Sequence, residues 1–400
     1  MHYFTFADKD TTIYQQSSSI NTGLDEVLEI RKDVSDNANQ VNVSRILIRF
    51  PLSYLSASIQ NGVIPPPGNG PASSSFYLNL FDAKPTALAT SQSIYAYPIS
   101  QSWTTGDGRS YDNPTTTEGS SWSFRNGITE GLLWDGAVSQ SGATWFSGSS
   151  NASGAYEASY SFNSAQTQDV RMNVTDIVTW WLQGTGSNEG FIVKRNGIIK
   201  SGSQAEGNDS LTMNSGSDEG NSTRFGNFSF FSSDTHTKFP PTLEAVWDDS
   251  KWITGSLSPL VSTELEDLVF YMKGIRPEYK EKSKIKFRVT GRERYPTKSY
   301  SNTASEYITS KYLPSGSLAN IGGDGAYYSV IDDQTGDIII PYGTGSLISC
   351  DSTGNYFNVW MDGFQSERFY KFEFKVVSGS NTSDETVQYF DDNFTFKVVK

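Results

Sequence analysis

At 400 residues the chain exceeds what one hydrophobic core usually serves, so two or three domains are expected. Charged residues make up 19% and aromatic residues 14%, with 35 glycines, a profile of pleated strands joined by turns that argues against long solvated helices or an extended charged tail. A net charge of −13 repels a phosphate backbone on average, which sets nucleic acid aside, and one cysteine excludes an internal disulfide framework.

Taken in chain order, Tyr3 to Phe6, Thr12 to Tyr14 and Val27 to Ile30 read as short strands separated by turn residues. Arg45 to Phe50 (RILIRF) is a stronger strand, with Ile46 and Ile48 on one face and Leu47 and Arg49 on the other, and Pro51 ends it. Ile64 to Ala72 is a turn-rich connection, after which Phe76 to Phe81 resumes the alternation. From Gln101 to Gly154 the chain is rich in Gly, Ser and Asn, and Trp103, Trp122, Trp134 and Trp145 recur among them. That pattern predicts a long loop excursion pinned by buried indoles. Asn173 to Gly184 (NVTDIVTWWLQG) predicts the one helix, near 175–183, with Thr175 as N-cap, Asp176 in the first turn and Gly184 just past the end. Gly190 to Lys194, Asn227 to Ser232 and Thr242 to Trp247 are further strands, and the polar exit after Trp247 places a domain boundary at 248. Beyond it Lys284 to Thr290 (KIKFRVT) and Arg368 to Val376 alternate cleanly. Between them the run Asp332 to Gly336 (DDQTG) signals a hairpin joining Tyr327–Ile331 to Asp337–Tyr342. The expected fold is all-β, with a jelly-roll-like β-sandwich over 1–248 and one or two small Ig-like β-sandwich domains over 249–400, a second split falling near 345.

Little in the chain points to chemistry. Of the two histidines, His2 lies at the terminus and His236 in the polar stretch DTHT, and no G-x-S-x-G elbow is present, so neither a nucleophilic triad nor a zinc centre is expected. No catalytic residue is assigned. The one metal candidate is calcium, for which Asp107, Asp112, Asn113 and Glu118 offer hard oxygen ligands in a Gly-rich loop, although the spacing is not that of an EF-hand. Trp103, Trp122, Trp134 and Trp145 are candidates for a sugar-stacking or interface platform, with burial in the core as the competing reading. Arg292, Glu293 and Arg294 (GRERYP) form a candidate interface ion-pair cluster. The opening residues MHYFTFADKD lack a basic segment followed by a long apolar run, so no secretory signal is read, and no stretch approaches the roughly 18 apolar residues of a membrane span.

Two resemblances add to this reading. Asp10 to Tyr14 (DTTIY), Asn21 to Ile30 (NTGLDEVLEI), Arg45 to Pro51, Asn173 to Lys194 and Pro240 to Trp247 (PPTLEAVW) resemble a DNRLRE-type β-sandwich, a module related in fold to carbohydrate-binding domains. Arg276 to Lys298, Tyr307 to Pro314, Cys350 to Trp360 and Glu367 to Gln388 are similar to virion structural proteins of contractile-tailed bacteriophages. The resemblance implies a structural component of head, neck, tail or baseplate, made in the host bacterial cytoplasm and resident in the virion. It implies no enzyme activity and no cofactor. The partners would be other virion proteins in a homo-oligomeric or symmetric multi-copy assembly, without nucleic acid or membrane. The alternative is a carbohydrate-binding adsorption module that contacts host surface glycan.

Overall fold

The structure is a computed structural model, and it describes residues 1–34, 41–68, 73–84, 92–134, 142–146, 156–162, 169–195, 206–207, 219, 225–260, 268–295, 311–314, 325–378 and 386–400. Most of the run from Ser201 to Thr223, and residues 296–298, 307–310 and 379–385 of the stretches named above, lie outside them. The protein is all-β: among the described residues 49% are in strands, with two short helices. It divides into two compact units, Thr5–Gly68 with Ser75–Glu244, and a second built chiefly from Met1–Phe4 and Ala245–Lys400.

The first unit holds β1(His2–Phe6, shared with the second), β2(Lys9–Tyr14), β3(Val27–Val34), β4(Val41–Arg49), α1(Ser53–Gln60), β5(Ser75–Leu80) and β6(Gln92–Pro98). It continues through β7(Trp145–Phe146), β8(Ala158–Phe162), β9(Val170–Asn173), α2(Thr175–Leu182), β10(Phe191–Arg195), β11(Glu206–Gly207), β12(Gly226–Phe231) and β13(Thr242–Val246). Its main sheet runs β12-β3-β4-β10-β6-β8, with β2 also paired to β4. The central strand β4 is buried on both faces, since Arg45, Ile46, Leu47 and Ile48 are all shielded from solvent. An apolar run bounded by Pro51 fits a strand enclosed in this way. In a second sheet β5 pairs antiparallel with β9 and lies beside β13, where the Asn79 amide donates to Thr242 Oγ1 at 3.3 Å.

Helix α2 has its N-cap at Val174, one residue earlier than the expected Thr175. Thr175 is its first residue, Val174 makes no side-chain cap, and Asn173 Oδ1 takes the Thr175 N–H at 3.0 Å. Thr175 Oγ1 instead accepts the Phe76 N–H at 2.9 Å, tying the helix start to β5. Gly184 follows the C-terminus with φ of +70°, the left-handed conformation expected of that position. Helix α1 is an addition to the expected elements. Its sequence SYLSASIQ carries no side-chain cap and no charge, and it buries only Leu55 and Ser58, so no amphipathic signal marks it.

The second unit is a sandwich of β14(Leu268–Lys273), β15(Glu278–Lys280), β16(Lys284–Glu293), β17(Gly325–Asp332), β18(Ile338–Ile340), β19(Ser349–Asp351), β20(Gly354–Trp360), β21(Arg368–Ser378) and β22(Thr386–Val399). The sheets are β14-β16-β20-β19 and β15-β22-β21-β17-β18. Alternation on β21 sends Tyr370, Phe372, Phe374 and Val376 inward. There Phe372 meets Phe287 at 4.7 Å between ring centres, and Phe374 meets Phe270 at 4.5 Å. Because β16 pairs with β20 and β17 with β21, both sheets draw strands from either side of residue 345, and the expected split there does not occur. The DDQTG hairpin forms as expected: the Asp332 carboxylate accepts the N–H groups of Gln334 and Thr335, and Gly336 has φ of +76°.

Candidate functional site

Over its described residues, 101–134 and 142–146, the excursion after Gln101 is a built layer rather than a loose loop. Trp103, Trp122, Trp134 and Trp145 are at most 2% exposed and pack with Ile13, Leu47 and Ile192 of the main sheet into one core cluster. Trp103 Nε1 donates to the Glu189 carbonyl at 2.8 Å and Trp134 Nε1 to the Ser121 carbonyl at 2.9 Å, so these two indoles have their polar edges satisfied as they are buried. These four therefore present no open face to a sugar ring. The candidate platform is corrected to a set of anchors.

Two polar residues hold the layer down. Asn21 is fully buried, and its amide donates to the carbonyls of Thr105 at 2.6 Å and Ser120 at 2.9 Å. Its Oδ1 accepts the N–H groups of Gly23 at 3.2 Å and Gly108 at 2.9 Å, so one side chain fastens three stretches of backbone. Glycine is required around it: a Cβ on Gly106, whose φ is +82°, would stand 2.4 Å from Asn21 Oδ1. The second anchor is Arg45, which projects from β4 with no exposure. It forms a two-pronged bond with Glu219, Nε to Oε1 at 3.1 Å and Nη2 to Oε2 at 2.8 Å, and it donates through Nη1 to the Gly142 carbonyl at 2.7 Å. Its guanidinium lies 4.8 Å from the ring centre of Trp122 and 5.2 Å from that of Trp145. Lys194 Nζ joins the same carboxylate at 3.1 Å. A planar cation with several donors between two indoles and a carboxylate suits Arg rather than Lys.

The calcium reading is also corrected. Asp107, Asn113 and Glu118 are exposed while Asp112 is half-buried. Asp112 Oδ2 is engaged by the Arg109 N–H at 2.8 Å and Thr116 Oγ1 at 3.1 Å, and Glu118 Oε1 takes the Thr129 N–H at 3.3 Å and its hydroxyl. These carboxylates brace turns. Among the described residues no three His, Cys, Asp or Glu side chains converge as metal ligands.

What this unit does gather is an acidic rim. Asp25 and Asp112 approach one another beside Glu29, and Asp25 Oδ1 accepts the Ser110 N–H at 3.0 Å. Glu26 and Asp234 form the adjoining part, bordered by Arg109 and His236. Partial burial, then the neighbouring carboxylates Glu29 and Asp112, push the Asp25 carboxyl up. Asp234 moves the same way, again chiefly through burial.

The second unit carries the opposite charge on the outer face of β16. Lys284, Lys286 and Arg288 stand at alternate positions, about 6.6 Å apart along a strand. Lys273 of β14 is directly opposite Arg288. Lys286 Nζ sits 3.6 Å from the Tyr356 ring centre and Lys284 Nζ 5.0 Å from that of Trp360. Asp351 receives Lys286 and Arg288, each at 2.8 Å, and this pairing, Arg288 first, holds its carboxyl below the usual range. The expected cluster Arg292, Glu293, Arg294 lies at the far end of the same strand. There Arg292 donates to the Glu293 carbonyl at 3.0 Å and Glu293 pairs with Lys311 at 2.5 Å, so its one carboxylate closes a local pair. The KIKFRVT alternation already implied the richer cationic face, while the acidic rim, assembled from residues near 25, 110 and 234, left no local signal.

No protein-family model, curated protein or solved structure matches the chain. Among the described residues no helix is long and apolar enough to cross a membrane.

Proposed function

We propose that this protein is a structural building block of a tailed-phage particle, working through protein–protein contacts at a fixed place in the virion. The observation that carries the contact-making part is the anchoring of the excursion by Asn21, Arg45 and four buried tryptophans. Loops whose backbone is fastened by buried side chains lose little conformational entropy on docking, so their surfaces are suited to permanent contacts. The similarity of Arg276–Lys298, Cys350–Trp360 and Glu367–Gln388 to virion proteins of contractile-tailed phages supports the particle itself as the setting. The charge pattern agrees with this use, since one unit offers a cationic sheet face and the other an acidic rim, and complementary patches fix partner and register.

Cryo-electron microscopy of gradient-purified particles tests the proposal. Density fitting both units in repeated copies, each burying more than about 1,000 Å² against neighbouring proteins, is the expected result. A particle without that density would overturn it, as would an isolated protein that binds host polysaccharide on a glycan array through exposed residues.

A further inference from the structure

The chain holds four Asn-Gly pairs, and two of them lie among the described residues, Asn61–Gly62 and Asn126–Gly127. An Asn followed by Gly can convert itself, because no Cβ on the next residue stands in the way as its backbone nitrogen approaches the carboxamide carbon. What the fold decides is whether that nitrogen is free. Gly62 follows the C-cap of helix α1 and donates its N–H to the Ile59 carbonyl at 3.0 Å, so attack there must first break this bond.

Gly127 stands opposite Glu118 in an antiparallel bridge of the excursion. The bonds of that bridge run from the Gly119 N–H to the Asn126 carbonyl at 3.4 Å and from the Ile128 N–H to the Thr117 carbonyl at 3.3 Å. They flank Gly127 and leave its own N–H out. Gly127 is buried, yet among the described residues its N–H reaches no acceptor, which is rare for a shielded amide. Glu118 lies against it: a Cβ on Gly127 would stand 2.6 Å from Glu118 Oε2, the oxygen that Thr129 leaves unused. Asn126 Nδ2 donates to Glu130 Oε2 at 2.7 Å, while its Oδ1 is shielded without a partner.

We propose that Asn126 is a self-converting site, at which Gly127 and Glu118 turn a carboxamide into a carboxylate. Glu118 Oε2 takes the Gly127 N–H proton and the nitrogen forms a bond to Asn126 Cγ. The Cγ–Nδ2 bond then breaks, and ammonia leaves with that proton. Water opens the cyclic imide at either carbonyl, giving Asp or an isoaspartyl link, with no change of oxidation state. The product carboxylate faces Glu130 where the carboxamide had donated to it, so repulsion replaces a hydrogen bond. The excursion thereby carries a chemical record of its age, a property beyond the assembly reading.

Peptide mapping by mass spectrometry of the folded full chain, incubated at mildly alkaline pH, tests it. Although Asn61 is the more exposed, site 126 is expected to convert roughly three- to tenfold faster, the population factor for opening one hydrogen bond. In urea the two rates should come together. Conversion at 61 as fast as at 126 overturns the inference, as does a preference for 126 that survives in urea, which would assign it to the flanking side chains. The product is expected to contain an isoaspartyl fraction, whereas Asp alone would mean direct hydrolysis and overturn the Gly127 step. Glu118→Gln keeps an acceptor for Thr129 and removes the base, so it should slow site 126 roughly tenfold or more and leave site 61 unchanged. An unchanged rate at 126 overturns the role of Glu118, and the wild-type comparison stands whether or not that variant folds.

Discussion

Asn21 satisfies all four of its hydrogen-bonding positions inside the first unit, and nothing in NTGLDEVLEI announces that it will. Asn21→Ala strands two carbonyls and two N–H groups away from water, so a loss of roughly 3 kcal/mol in urea unfolding is expected. The Arg45–Glu219 pair is the sharper case. A fully buried guanidinium that loses its carboxylate leaves an uncompensated charge, and Glu219→Ala should cost about 3–5 kcal/mol. An unchanged urea midpoint in either variant would contradict the anchoring. Asp10 gives the stability its pH dependence. Burial lifts its carboxyl to about 6, against the lowering effect of bonds from Ser233 N and Oγ. The folded value lies above the ordinary 3.8, so the fold holds this proton more tightly than the unfolded chain does. The stability it contributes is complete below about pH 4 and is lost as pH rises through about 6, on the order of 3 kcal/mol. Asp351 has the opposite sign: its carboxyl is held low by Arg288 and Lys286, so its contribution is present above 3.8 and lost as pH falls below that. Asp10→Asn should therefore raise the urea midpoint near pH 7 and leave it unchanged near pH 4, whereas equal effects at both would contradict the burial argument.

At the scale of elements, Arg45–Phe50 was legible as an apolar run closed by Pro51 and falls in β4 as far as Arg49, while Lys284–Thr290 and Arg368–Val376 were legible by a two-residue alternation and lie within β16 and β21. The reason is that one side chain in two must enter the core, which writes the period into composition. Helix α2 was legible from its paired tryptophans, but its N-cap falls at Val174 rather than Thr175, because the Thr175 hydroxyl is taken by the Phe76 N–H of β5, a tertiary contact that no local pattern announces. Helix α1 left no trace, since a helix that buries Leu55 and Ser58 alone needs no apolar stripe. The candidate sites fared by the same logic. Tryptophans among glycines reveal that something is anchored, yet the partners Asn21, Arg45 and Glu219 come from distant positions and no local pattern joins them. The sheet face of β16 makes its own prediction. Replacing Lys273 by Glu puts opposite charges across from each other at Arg288, and thermal unfolding should show a gain of about 0.2–1 kcal/mol. A loss of stability there would mean that the two cations do not repel one another in the fold.

At the scale of the whole molecule, two all-β units present surfaces of opposite sign, one the cationic row on β16 and the other the rim around Asp25 and Asp234. In the first unit the buried polar side chains Asn21 and Arg45 fasten loop backbone. Such a molecule is suited to holding a position among neighbours, which is what a virion component does. The most direct measurement for the proposed role is quantitative mass spectrometry of gradient-purified phage particles whose genome encodes this chain. A constant number of copies per particle, retained through a high-salt wash and a multiple of the particle's symmetry, is the expected result. A chain found only in the soluble lysate, or in particles at a number that varies from one preparation to the next, would contradict the assignment.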